Sequence, residues 1–306
     1  MFDYDAIIIG GGPAGLTAGL YLGRAKRRVV LLEKDVVGGK IVNLELIENY
    51  PGFSESIPGA RLASEMVTQA TDSGLQIEHQ EVVDIENYSS CKSVTCADGT
   101  TYVTSVVIIG GGSKPKKLGV SGEEAFMEKG VFYCGFCDGG QFADGVVAVC
   151  GGGDAGITEA LYMTKIASKV ILLEMLPSIT ASAILQERAR ANPKLKIRCG
   201  VTTKTILGDS RVEAIEFLDQ KSQKIETLKV DGVLVCVGVL PNTAYLKDVP
   251  LDDRGQIIVN TKMETDVPYV LACGDIKSNS PGQVATAVGD GAAAGISAIK
   301  LLNELA

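Results

Sequence analysis

The sequence predicts an α/β protein of two three-layer units, one inserted in the other. Three observations carry this. A glycine-rich turn occurs twice at a separation of 141 residues, apolar strand-like runs end in glycine, and the length of 306 residues exceeds what one small core fills. At 46% hydrophobic and 22% charged, the composition is that of an ordinary globular chain. Its 36 glycines stand well above the usual ~7%. Glycine is costly unless backbone must turn tightly or approach something closely.

The first copy runs from Ile7 to Glu33: a strand of three isoleucines, then Gly10-x-Gly12-x-x-Gly15, an apolar-periodic helix, and a second strand, Val29 to Leu32, that ends at Glu33. Glycines at this spacing supply a tight turn, close approach of backbone to a pyrophosphate, and close helix–strand packing. The helix N-terminus offers free N–H groups to phosphate, and the acid at the tip of the second strand suits ribose hydroxyls. The second copy runs from Val147 to Glu174, with Gly151, Gly153 and Gly156 in register with the first three glycines and Glu174 in register with Glu33. From Gly10 through Glu33, 12 of 24 positions are identical to those of the second copy. One such motif is weak evidence; two, each between a strand and a helix and each followed by an acid at the same distance, predict two Rossmann-like dinucleotide-binding units.

Further strands are expected at Val106–Gly112, Val233–Gly238 and Tyr269–Asp275, and a small-residue helix at Gln283–Leu302. Linkers near Gly112–Gly122 and Pro241–Pro250 place one unit at 1–116 plus 244–306 and the other at 117–243. The net charge of −8 argues against a nucleic-acid partner, which needs a basic face. With no run of about 18 apolar residues, no transmembrane helix is expected. The chain enters its first strand at Asp5 without a signal-peptide pattern, so a cytoplasmic location is expected.

Eight cysteines are scattered through the chain, and a framework of structural disulfides is not expected in that compartment. Cys150, Cys236 and Cys273 lie in or at the end of apolar runs and read as small buried hydrophobes. Only Cys134 and Cys137, in Tyr133-Cys134-Gly135-Phe136-Cys137-Asp138, form a motif. Two thiols at this spacing at a helix N-terminus can close a small disulfide and have a lowered pKa. A zinc half-site is the competing reading. It lacks support, because the sole histidine, His79, lies in a polar stretch and no second Cys pair has this spacing; no metal is expected. Asp138, beside the second thiol, is the best available proton donor, and a helix cap is its plainer role.

These residues resemble the low-molecular-weight thioredoxin reductase family along essentially the whole chain. The resemblance rests on GGGPAG at 10–15, Gly38-Gly39, Glu48-Asn49-Tyr50-Pro51-Gly52-Phe53, and Leu118-Gly119 with Gly122-Glu123. It continues through CGFCD at 134–138, GGGDAG at 151–156, Gly238 with Pro241-Asn242, Gly274-Asp275 and Gln283. It implies FAD in the first unit, held by Gly10, Gly12, Pro13, Ala14, Gly15, Glu33, Gly39, Asn49, Gly112, Gly274, Asp275 and Gln283. It implies a nicotinamide nucleotide in the second, held by Gly151, Gly153, Asp154, Gly156, Glu174 and Gly238. It further implies a homodimer and a redox disulfide that meets flavin and substrate in two arrangements. In that scheme Cys137 faces the flavin, Cys134 attacks the substrate, and Asp138 protonates a departing thiolate. The substrate would be a thioredoxin-like protein or a small disulfide.

Three departures from the family pattern matter. NADPH-using members follow the second motif with His-Arg-Arg, whereas this chain reads Glu174-Met175-Leu176, with no cation until Arg188 and with Gly156 in place of the usual alanine. A carboxylate there repels a 2′-phosphate, so NADH is favoured over NADPH. Lys40 replaces a glutamine close to the flavin, where it either tunes the reduced flavin or turns to solvent. Gly282 replaces an arginine before Gln283. Relaxed flavin contacts occur in relatives that use ferredoxin or act as dithiol oxidases, which makes such an enzyme the alternative. A flavoprotein without catalysis would not need the complete CxxCD motif and both nucleotide motifs.

Overall fold

The computed structural model describes residues 2–305. By contact, the chain divides into one compact unit of residues 1–114 and 240–306 and a second of residues 115–239. The changeovers fall two to four residues ahead of those expected from the linkers.

Unit 1 begins with β1 (Tyr4–Ile9), α1 (Pro13–Arg24) and β2 (Val29–Glu33), followed by α2 (Gly59–Asp72) and β3 (Gln76–His79). An antiparallel pair, β4 (Val82–Asn87) and β5 (Lys92–Cys96), then leads into β6 (Thr101–Ile109). The chain leaves unit 1 along β7 (Ser113–Pro115). Unit 2 holds β8 (Val131–Phe132), α3 (Gly135–Asp138), β9 (Val146–Cys150), α4 (Asp154–Met163), β10 (Lys169–Glu174), α5 (Ala183–Ala191) and β11 (Leu195–Cys199). It continues with β12 (Val201–Gly208), β13 (Val212–Asp219), β14 (Lys224–Lys229) and β15 (Gly232–Val235). The chain returns along β16 (Val239–Pro241) to β17 (Val270–Ala272) and the long α6 (Val284–Glu304).

In unit 1, β3, β2, β1 and β6 form a parallel sheet. The two halves of β6 have different partners: residues 101–104 pair antiparallel with β5, residues 107–109 parallel with β17. Unit 2 repeats the plan with a parallel sheet in the order β11-β10-β9-β15-β8 and a separate antiparallel sheet β12-β13-β14. Alternation along the strands makes three layers of each unit. Ala6 and Ile8 pack with α1 and α6, while Ile7 and Ile9 face the side of Val82, Ile85 and Val94. In β9, Val147 and Val149 pack with α4, while Ala148 and Cys150 meet Ile206, Ile215 and Phe217 of the antiparallel sheet. Strands buried on both faces read as continuous apolar runs, and these do.

Among the described residues α6 is long and apolar enough, by length and composition alone, to cross a membrane, although Asp290 and Lys300 interrupt it so that it is no unbroken apolar run. Its apolar character comes from valine, isoleucine and leucine together with alanine, while two of its glycines serve close packing on α1. Gly291 and Gly295 lie one turn apart on a single face. A Cβ at Gly291 would lie 2.2 Å from the Ala14 carbonyl oxygen, and one at Gly295 would lie 3.0 Å from Tyr21 Cβ. Ala294, Ala298 and Leu302 continue the buried face.

Candidate active site

The two glycine turns superimpose in their chemistry as well as their spacing. Gly10 and Gly151 hold left-handed backbone, with φ of +103° and +117°. Each lies so close to the end of a neighbouring strand that a Cβ would meet a carbonyl, that of Gly110 at 2.4 Å and that of Cys236 at 2.1 Å. The third glycines lie over the first: a Cβ on Gly15 or on Gly156 would sit 2.0 Å from the oxygen of Gly10 or of Gly151. The middle glycines differ, since Gly12 has no atom within 4 Å of its Cβ direction and Gly153 only Thr180 Oγ1 at 3.8 Å. Both precede helices that carry no side-chain cap, so their first-turn N–H groups are left for an anion.

Each motif's acid is braced the same way. Glu33 accepts hydrogen bonds from the amides of Gly11 (2.6 Å) and Asp35 (2.8 Å). Glu174 accepts from those of Gly152 and Leu176. These four amides correspond pairwise under the shift of 141 residues. Neither acid hangs free for a ribose, yet a carboxylate with two engaged oxygens still has acceptor capacity left. Glu174 is buried, and the loop after it wraps the second turn. Thr180 and Ala181 donate to the Gly152 carbonyl, and Ser182 N donates to Asp154 Oδ1 at 2.6 Å. No lysine, arginine or histidine occurs from Met175 to Ser182. Arg188 and Arg190 lie in the last turn of α5. Gly238, with φ +108° and open space at its Cβ direction, receives the amide of Lys116.

In unit 1 several predicted flavin residues gather at the carboxyl ends of β1, β6 and β17, where such sheets bind ligands. Gly38 N donates to the Gly11 carbonyl at 2.8 Å, and Gly39, at φ +63°, lies against Gly12. Gly112, at φ +61°, opens onto free space. Gly274 lies against Ala14, and Asp275 Oδ1 accepts from Ser280 Oγ at 3.3 Å. Asn49 Nδ2 donates to Gln283 Oε1 at 2.9 Å, joining residues 234 positions apart. Lys40 does not turn away to solvent alone: Nζ donates to Ser113 Oγ at 2.6 Å. Burial pushes its ammonium pKa down, and the nearby Asp275 charge works against that shift. Gly282, at φ +68°, occupies a conformation that strains an arginine or any L side chain. Open glycine backbone, an uncapped helix start and a braced acid fit the pyrophosphate and ribose of FAD.

Sequence reading missed Asn242 as a structural clamp, whose Nδ2 donates to the Gly111 carbonyl at 2.8 Å and whose amide donates to that of Gly112. It also missed Lys277, which pairs with Asp290 of α6 at 3.5 Å beside Gly274. Only their dipeptide or charge was visible, and neither carries a spacing pattern.

Cys134 and Cys137 are joined as a disulfide, with Cα atoms 5.3 Å apart. They flank the start of α3, where Cys134 is the N-cap and its Sγ accepts from the Cys137 amide at 3.0 Å. Asp138 therefore does not cap this turn. It ends α3 with an exposed carboxylate beside the exposed Cys137. Cys150 and Cys273 are fully buried, and burial pushes both thiols up to about 12. Cys236 is only partly buried by surface, yet its thiol is also pushed up by its surroundings. Protonated thiols of this kind are inert. His79 ends the edge strand β3 in an exposed position.

The sequence profile of the pyridine nucleotide-disulphide oxidoreductase family matches residues 4–291. The chain belongs to that family. Within it, the thioredoxin reductase of Listeria innocua is 37% identical over 304 residues, covering 99% of this chain and 95% of that protein. The crystal structure of Lactococcus lactis thioredoxin reductase matches at a TM-score of 0.96 and 34% identity, covering 99% of this chain and all of that one. That of T. acidophilum matches at 0.94 and 33%, covering both chains fully. The resemblance to low-molecular-weight thioredoxin reductases thus holds over the whole chain, and the family implies FAD and a pyridine nucleotide.

Proposed function

We propose that the protein is a thioredoxin reductase that takes electrons from NADH rather than NADPH and delivers them through Cys134–Cys137 to a thioredoxin-like protein. Unit 1 is assigned to FAD and unit 2 to the nicotinamide nucleotide. The carrying observation is the disulfide at the start of α3 in the unit that also bears the second nucleotide turn. Bound FAD supplies the relay between hydride and thiol chemistry. Cys134 is the thiol assigned to the substrate disulfide, Cys137 the one assigned to the flavin, and Asp138 is assigned to protonate a leaving thiolate. A cytoplasmic location and a homodimer go with this reading.

The preference for NADH rests on Glu174. Its carboxylate ends β10 at the position where this type of motif carries the acid that bonds ribose hydroxyls, and the loop to Ser182 offers no cation to offset its repulsion of a 2′-phosphate. In an anaerobic titration, NADH should bleach the flavin well before NADPH does; equal rates would refute the preference. Reduction by ferredoxin with neither nicotinamide active would select the alternative enzyme. A Cys134→Ser variant should keep its flavin spectrum and lose disulfide reduction, and activity surviving that change would exclude the dithiol route.

A further inference from the structure

The internal repeat exposes one residue that the nucleotide chemistry does not use. Glu159 of α4 corresponds, under the 141-residue shift, to Ala18 of α1, which is fully buried against α6. Where the first copy needs a small apolar residue, the second carries a carboxyl group. Its Oε2 accepts the amide of Gly135 at 2.7 Å, the residue directly after Cys134. A Cβ on Gly135 would lie 2.4 Å from that oxygen, so the glycine between the cysteines is what admits the carboxylate. The Met163 sulfur and Leu234 also lie within 3.4 Å of that Cβ position, which makes the surroundings largely apolar. Burial pushes the Glu159 pKa up, and the Gly135 hydrogen bond opposes this.

We propose that Glu159 is a positioning residue for the dithiol, whose carboxylate disfavours the Cys134 thiolate and makes the reduced pair a stronger reductant. The inference rests on Cys134–Cys137 being the redox centre. Reducing that disulfide takes two electrons, supplied by the reduced flavin, and breaks the S–S bond. It consumes two protons to give a dithiol, or one where Cys134 stays a thiolate. A carboxylate bonded to the amide of the residue after Cys134 acts on that last species, and a reduced state destabilised in this way has a lower potential. Delivery of electrons to a substrate disulfide is favoured accordingly.

The test equilibrates holoenzyme with dithiothreitol redox buffers and reads the Cys134–Cys137 state by alkylation and peptide mass. Glu159→Gln keeps the hydrogen-bond acceptor and removes the charge. It should shift the equilibrium about tenfold toward the dithiol, or roughly 30 mV for this two-electron couple. It should also speed Cys134 alkylation at neutral pH. Glu159→Asp, which retains the charge, should stay near wild type. Gly135→Ala, which displaces the carboxylate, should follow the glutamine variant; if it does not fold, Glu159→Gln decides alone. Equal midpoints for wild type and Glu159→Gln overturn the role of Glu159. If the disulfide stays oxidised in every protein after NADH has bleached the flavin, the redox-centre reading fails and takes this inference with it.

Discussion

At the residue scale, the glycine turns are held by contacts that tolerate no side chain. Gly156 is where NADPH-using relatives have alanine, yet here a Cβ would meet the Gly151 oxygen at 2.0 Å. Gly156→Ala should therefore open the turn, lower stability by about 1–3 kcal/mol and weaken binding of the pyridine nucleotide while leaving FAD content unchanged. Calorimetry with the oxidised nucleotide on the purified holoenzyme checks this, and undiminished affinity would count against it. The glycines and both acids were legible because they recur at fixed spacing. What the acids do was only half legible: a ribose partner was expected, and each is first a brace for its own turn. Glu159 was not legible at all, because one polar residue on a helix face signals nothing until the fold brings Gly135 to it.

At the scale of elements, α6 shows why composition alone misleads. Its glycines have opposite roles within one helix. Gly291 faces the Ala14 carbonyl at 2.2 Å, whereas Gly289 is exposed with nothing within 4 Å. Gly291→Ala should cost about 1–3 kcal/mol by overpacking against α1. Gly289→Ala should stabilise by about 0.5–1 kcal/mol through helix propensity. Paired denaturant melts read the difference, and a same-sign result would undo the packing account. The parallel strands were readable from sequence as apolar runs. The antiparallel strands β4 and β12 to β14 were not, because their half-exposed faces break the apolar pattern into short pieces, and β5, though buried, carries the polar Lys92, Ser93 and Thr95.

At the scale of the whole molecule, half-buried phenols and buried thiols set an alkaline limit. Burial raises the Tyr245 pKa; burial and then Glu123 raise that of Tyr133. For Tyr102 the hydrogen bond to Glu78 acts first and burial second. A phenol whose folded pKa lies above its unfolded value of about 10 contributes stability below pH 10 and loses it as pH rises further. Lys40 and Lys92, pushed down by burial, act in the opposite sense: they cost stability until the pH approaches 10.5. The thiols of Cys150, Cys236 and Cys273, also pushed up by burial, act in the same sense as the phenols from a lower unfolded value, so stability from denaturant melts should begin to fall above about pH 9 and fall more steeply above about pH 10.5. Tyr245→Phe should flatten that fall, and identical slopes for the two proteins would contradict the assignment. The two-unit plan was readable because the repeat spans whole supersecondary units.

The bracing of Glu174 also bears on redesign. Exchanging it for arginine to admit a 2′-phosphate would remove the support of the Gly152 turn and leave a cation in a buried position. Met175 and Leu176 offer a better place for grafting. These residues are 58% and 45% exposed, and their carbonyls accept hydrogen bonds from Gln220 and Gly200. A cation grafted on the outward side of this loop, whose main chain is already anchored, would offset the Glu174 charge without taking away the brace that this acid gives the Gly152 turn.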